Sequence, residues 1–173
     1  RLLSIVKTAQ DRSVLSPELK SHCTDWASTY HLSGSRANIL RPFEPHLRGK
    51  VLEIGIGTGL NMRHYDAAKV EKIIGLDPAM QMHRLAKKRI DQTGLSVELM
   101  GLPAEKIPLP DASFDTIVMT YTLCTIPEPV QALKEMRRVL KPGGTLVINS
   151  FATFEPGHDF FAAPLYKTLT NVF

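Results

Sequence analysis

Gly55, Gly57 and Gly59 stand at alternate positions directly after a short apolar run, Val51 to Ile54, that contains a single acid, Glu53. Glycines so spaced let a backbone approach a ligand without interference from Cβ atoms. The pattern is G-x-G-x-G, not the G-x-G-x-x-G that opens a helix onto a pyrophosphate, and the turn carries no lysine. A carboxylate beside such a turn suits a cationic or amine-bearing ligand better than a phosphate. A second acid, Asp77, closes another apolar run. There a carboxylate can accept hydrogen bonds from ribose hydroxyls or cap the helix beginning at Pro78, and the two roles are compatible. Pro78 suits a first helical turn through its fixed φ and also offers an apolar wall to a purine. Met82, a few residues on, fits either that wall or the core.

Other reactive side chains are less directive. Cys23 and Cys124 have neither metal-ligand spacing nor the density of a disulfide framework, so no metal site is expected and a reducing cytoplasm suits them. Cys124 is expected as a small buried apolar residue rather than a nucleophile. Asp115 begins its apolar run too deep for catalysis and is expected to be structural. The net charge of +4 is mild. The densest basic cluster, His83-Arg84 with Lys87-Lys88-Arg89, has helical spacing and reads as a solvated face, so no nucleic-acid partner is expected. No apolar run approaches the roughly 20 residues that span a bilayer, and Arg1 to Lys7 is too short for a secretory leader. With 43% apolar and 22% charged residues in 173, the chain has the makings of a soluble domain with a substantial core.

These residues must be positioned by regular elements, and the pattern supplies them from Lys50 onward. Strands are expected at 51–55, 72–76, 97–100, 114–120 and 145–148. Helices are expected to begin near Gly59 and to occupy 79–92 and 129–140. The inward faces would be Met82, Leu85, Ala86 and Ile90 in the first of these, and Val130, Leu133, Met136, Arg137 and Leu140 in the second. The turn Lys141-Pro142-Gly143-Gly144 stops the latter. Alternating strands and helices imply right-handed crossovers and a doubly wound, mostly parallel α/β sheet. Ligands bind such sheets beyond the carboxyl ends of the strands, where every suggestive loop of this chain falls. The chain divides by pattern into an N-terminal helical cap segment at 1–48, a core at 49–150 and an amphipathic helix at 151–173. Within the cap, Ser33 or Ser35 would cap a helix through Ala37, Ile39 and Leu40.

The order of parts resembles the class I S-adenosylmethionine-dependent methyltransferases, in particular the ubiquinone/menaquinone-biosynthesis-like group acting on small molecules. The matching stretches are VLEIGIGTGLN at 51–61, IIGLDPAMQM at 73–82, PLPDASFDTIVMTYTLCTIPEP at 108–129 and LKEMRRVLKPGGTLVI at 133–148. The resemblance implies a Rossmann-like fold binding S-adenosylmethionine across the strand tips. It implies that Glu53 and the backbone of Gly55, Ile56, Gly57 and Gly59 meet the methionine moiety, that Asp77 holds the ribose, and that Pro78 and Met82 flank the adenine. Where much of the family has an acid before Ala-Glu to accept from the adenine amine, this chain has Pro103, so that edge falls to Ala104 N–H or neighbouring backbone. Thr120 and Tyr121 fall at the strand tip facing the transferable methyl; Tyr121 either lines the acceptor pocket or covers the cofactor. In the cap, Tyr30 or His31 would touch the cofactor carboxylate or serve as a base, and Arg36 would pair with a carboxylate.

The activity so implied is methyl transfer to a small-molecule acceptor by direct in-line displacement. The competing expectation is a non-catalytic cofactor-binding module, or an incomplete domain acting with a partner subunit. An NAD-dependent oxidoreductase is disfavoured by the glycine spacing. Residues 151–173 lack the two final strands usual in the family. Phe161, Leu165, Leu169 and Val172 recur at helical spacing instead, which would leave the fifth strand an open edge and favour self-association through the terminal segments.

Overall fold

The computed structural model describes residues 1–13, 15–34 and 38–150, and the backbone alone of 165–170; the side chains of Trp26, Ala27, Tyr30 and Ser150 also fall outside the described set. The chain divides into two compact units, Arg1–Arg41 and Pro42–Phe173. The first contains three short helices, α1 (Leu2–Thr8), α2 (Pro17–Ser21) and α3 (Trp26–Leu32). Ser16 caps α2, and Asp25 with Ser28 forms a reciprocal capping box on α3. Ala9, Leu19 and Leu32 make its small core. The helix expected after Ser33 or Ser35 depends on residues 35–37, which lie outside the described set.

The second unit is a six-stranded sheet in the order β3-β2-β1-β4-β5-β6. Its strands are β1 (Gly49–Ile54), β2 (Val70–Leu76), β3 (Val97–Met100), β4 (Phe114–Thr120), β5 (Leu140–Ser150) and β6 (Leu165–Thr170). The first five are mutually parallel. Central parallel strands are covered on both faces, so their sequences are continuously apolar rather than alternating. Val51, Leu52, Ile73, Ile117, Val118 and Met119 are accordingly fully buried. Each such side chain contributes roughly 1.5–3 kcal/mol by leaving water. Because β1 lies between β2 and β4, the chain leaves the sheet in opposite directions after β1 and β4, which opens a crevice at their carboxyl ends.

The helices differ in detail from the expected faces. α4 (Met80–Ile90) buries only Ala86, leaving Met82 39% and Leu85 41% exposed. The small Ala86 is what permits close packing, since a Cβ at Gly59 would come 3.2 Å from its Cα. α5 (Pro129–Val139) buries Ala132, Met136 and Val139, while Val130 is 64% exposed. Instead of a full helix near Gly59 there is one 3-10 turn, Leu60–His64.

The C-terminal expectation is corrected over 165–170. This stretch is a strand paired antiparallel to β5, with Thr168 opposite Val147, and not part of an amphipathic helix. The unpaired N–H and C=O groups of β5 reward a strand more than a solvated helix, and the Tyr166, Thr168 and Thr170 series supplies strand-favouring residues at alternate positions. The edge of β5 is therefore covered over this stretch, which removes the structural reason for expecting self-association there.

Candidate functional site

At the carboxyl ends of β1, β2 and β4 lies a cavity of about 490 Å³, within the range of small-molecule sites. Its floor is built by the glycine turn. Gly55 N–H and Ile56 N–H both donate to Leu76 O, at 2.8 and 3.2 Å, tying the end of β1 to β2. Gly55 has a φ of +70°, and a Cβ there would collide with the Thr122 side chain, so only glycine passes between β1 and the loop after β4. The Ile56 side chain is tucked over the backbone of Gly75 and is buried. Arg89 of α4 donates to Thr58 O at 2.6 Å and clamps the turn from behind.

Asp77 latches this turn. Its Oδ2 accepts Gly57 N–H at 2.8 Å and its Oδ1 accepts Ala79 N–H at 2.8 Å. The His83 ring nitrogen lies 3.1 Å from Asp77 O. The carboxylate thus sets the glycine turn and the entry to α4 together, and each oxygen keeps further acceptor capacity toward the cavity.

Behind the turn sits a buried polar cluster. Glu53 is 1% exposed; its Oε1 accepts Asn61 Nδ2 at 2.8 Å and its Oε2 accepts the Tyr65 hydroxyl at 2.8 Å. Asn61 Nδ2 also donates to Thr120 Oγ1 at 3.0 Å. Burial pushes the Glu53 carboxyl up to about 7, against the lowering effect of the Tyr65 and Asn61 hydrogen bonds. Burial, and then the neighbouring Glu53, raise the Tyr65 phenol. Glu53 therefore braces β1, the 3-10 turn and β4 from within, and it does not line the cavity.

The far wall is the loop after β3. Arg138 of α5 donates to Ile107 O at 2.6 Å and Leu109 O at 2.9 Å, and pairs with Glu135 and Asp111. Glu135 in turn accepts Ile107 N–H at 2.9 Å. The hydrogen bonds that Arg138 donates to Glu135 and Asp111 raise its guanidinium, and those to Glu135 lower that carboxyl. The loop so held presents Leu102, Pro103, Ala104 and Glu105 to the cavity.

Of the residues singled out by sequence, the cavity gathers Gly55, Asp77, Pro78, Pro103 and Ala104. Glu53 and Thr120 brace it from behind, while Ile56, Gly57 and Gly59 continue the turn beyond Gly55. Met82 lies outside it, exposed on α4. Tyr121 is half-buried beside it with a φ of +55°, its N–H donating to Asn149 O at 2.7 Å. His31 is exposed on α3, whereas the Tyr30 side chain and Arg36 lie outside the described residues. Cys124 corrects an expectation: it is exposed, because Leu123 and Ile126 on either side turn into the core. Asp115 is structural as expected, accepting Lys50 N–H at 2.9 Å and Lys141 Nζ at 2.7 Å. Sequence reasoning missed Asn61, Tyr65, Glu105, Thr122 and Arg138. Only Arg138 carried a signal, the Glu135–Arg138 spacing of an i, i+3 helical pair.

No group of three or more His, Cys, Asp or Glu side chains suited to a metal occurs among the described residues, and no described helix is long and apolar enough to cross a membrane. The donor set fits an adenosyl ligand carrying an amino-acid tail: two carboxylates for hydroxyl and amine donors, apolar walls for a flat base, and a glycine cradle.

A sheet of this order with a glycine turn latched to an acid is the architecture of Rossmann-like methyltransferases, and residues 52–148, more than half of the chain, match the methyltransferase domain family. The chain belongs to that family. It is 36% identical over 107 residues to a phosphatidylethanolamine N-methyltransferase of Cereibacter sphaeroides, covering 60% of this chain and 52% of the relative. It is 32% identical over 125 residues to a demethylmenaquinone methyltransferase of Renibacterium salmoninarum, covering 71% and 51%. Among solved structures, a SAM-dependent methyltransferase from Aquifex aeolicus superposes with a TM-score of 0.57 at 30% identity, covering 70% of this chain and 66% of that one. The chain spans about half the length of these two curated relatives.

Proposed function

We propose that the chain binds S-adenosylmethionine in the cavity at the strand tips and transfers its methyl group to a small-molecule acceptor. The observation that carries this is the latch of Asp77 onto Gly57 N–H beside the cavity, because it leaves carboxylate capacity where ribose hydroxyls would lie and a side-chain-free turn where the amino-acid end would lie. S-adenosylmethionine, when bound, supplies a sulfonium-activated methyl group together with its own leaving group. The protein's share is positioning and exclusion of water.

In this reading Asp77 holds the ribose, and Pro78 walls one face of the base. Ala104 N–H meets the base edge, and the backbone of Gly55 to Gly59 carries the methionine end. Glu53 acts through the turn it braces. Thr120 and Tyr121, at the tip of β4, stand nearest to where acceptor and methyl meet. Tyr121 is the first candidate for orienting the acceptor. A base is needed only where the acceptor attacks from its protonated form. The two unpaired cysteines, one of them exposed, suit a reducing cytoplasmic setting.

A titration with S-adenosylmethionine, S-adenosylhomocysteine and NAD, followed by assay of S-adenosylhomocysteine release across an acceptor panel, tests the proposal. Binding of the first two alone, with release on at least one acceptor, is expected. Absence of both would overturn it. Binding without release would favour the non-catalytic module or a domain that works with a partner subunit.

A further inference from the structure

One buried polar side chain is left without a task. Asn149, near the carboxyl end of β5, is 0% exposed, and neither its Nδ2 nor its Oδ1 has a hydrogen-bond partner among the described residues. It follows an apolar run, Leu146 to Ile148, in a strand flanked by β4 and β6. Buried amides are almost always paired, because an unmet donor or acceptor forfeits its bonds to water. An Asn kept purely for packing is out of place here, since Leu has a similar volume and leaves no polar atom unmet.

Register fixes which face of the sheet it occupies. Asn149 pairs with Thr120 and Val147 with Val118 in β4, and Val118 pairs with Glu53 in β1. Side chains alternate along a strand, so Asn149 lies on the face that carries Thr120 and Glu53. There Glu53, Asn61, Tyr65 and Thr120 bond to one another, and none of those bonds reaches the Asn149 amide. Its backbone, by contrast, is engaged: Asn149 O accepts Tyr121 N–H at 2.7 Å and so holds the turn at the tip of β4. That turn keeps Tyr121 at a φ of +55°, a conformation that bulky residues adopt only where their surroundings impose it, commonly at ligand sites. An amide with donor and acceptor both unmet complements a group that also gives and takes, of which a neutral hydroxyl is the simplest. The fully buried Val118 and Val147 on the same face oppose a charged group.

We propose that Asn149 binds the methyl acceptor, its side-chain amide pairing with an uncharged hydroxyl of that molecule at the carboxyl ends of β4 and β5. This rests on the chain being a methyltransferase whose S-adenosylmethionine fills the cavity. Phenol, with toluene as its match in shape, probes the site in protein saturated with S-adenosylhomocysteine. The readouts are the assigned side-chain NH2 signals of Asn149 in the wild type, and calorimetric affinities and Tm for the wild type and Asn149→Leu. Phenol shifts the Asn149 signals and toluene leaves them in place. Asn149→Leu binds phenol roughly 10-fold more weakly and toluene no less tightly. Its affinity for S-adenosylhomocysteine is unchanged, and its Tm is at or above that of the wild type because an unmet amide has gone. A lower Tm with unchanged phenol affinity would show a structural amide and overturn the proposal. So would wild-type Asn149 signals that phenol leaves unmoved, with the cofactor site standing if S-adenosylhomocysteine binds. If S-adenosylhomocysteine does not bind, the cofactor reading falls and this inference with it.

Discussion

Asp77 spends both carboxylate oxygens on backbone before any ligand arrives, one on Gly57 and one on Ala79. Replacing it by Ala should therefore cost ligand affinity twice, through the lost hydroxyl contact and the loosened turn. The expected loss for S-adenosylhomocysteine is about 1–3 kcal/mol by calorimetry; unchanged affinity would remove Asp77 from the site. Glu53 poses a different test. Its carboxyl titrates at about 7 in the folded protein against a reference of 4.5, chiefly because it is buried. The native state thus binds that proton more tightly than the unfolded chain. The linked stability is complete below 4.5 and is lost as pH rises through about 7. Glu53→Gln abolishes this dependence, so the wild-type Tm should fall relative to the variant between roughly pH 5 and pH 8; parallel Tm profiles would contradict the account. The glycines and Asp77 were legible in the sequence because turn chemistry and strand ends are local. The Asn61 and Tyr65 partners of Glu53 were not, since they depend on a 3-10 turn that swings both side chains back beneath β1.

Elements explain which predicted faces failed. Leu85 and Val130 follow a helical period in sequence but face solvent. Packing distance decides the face, and α4 settles on Ala86 because Gly59 admits only a small neighbour. Helix existence was legible from periodicity, whereas the packed stripe required knowing what lay opposite. The loop after β3 shows the same dependence. Nothing in Pro108 or Pro110 announces that Arg138, on a distant helix, holds the carbonyls of Ile107 and Leu109. Arg138→Ala should lower Tm and weaken S-adenosylhomocysteine binding together, and Arg138→Lys should restore little, because a single ammonium cannot reproduce the fork. A variant with normal affinity would show that this clamp does not position the cavity wall. In the sheet itself, Ile117→Ala removes a fully buried side chain of β4 and should cost about 2–5 kcal/mol in urea unfolding; a loss well under 1 kcal/mol would contradict the placement of the core.

On the scale of the whole molecule, strand order does the functional work. Placing β1 between β2 and β4 brings together Gly55, Asp77 and Thr122 from three separate strand ends; the alternation of strands and helices made the doubly wound parallel sheet legible from sequence, but not this order. The last strand was not legible: Leu165 and Leu169 satisfy a helical period as well as a strand one, and only the open edge of β5 decides between them. Lys167→Pro, at the hydrogen-bonded register position opposite Ile148, should lower Tm and promote self-association in light scattering; unchanged Tm and scattering would argue that β6 does not protect that edge. The central claim is that the latched glycine turn holds an adenosyl ligand, and a crystal structure of the complex with S-adenosylhomocysteine tests it most directly. The account predicts the ribose hydroxyls on the Asp77 carboxylate, the base between Pro78 and Ile126, and the amino-acid end over Gly55 and Gly57. Ligand density elsewhere on the protein, or none in the cavity at saturating concentration, would contradict it.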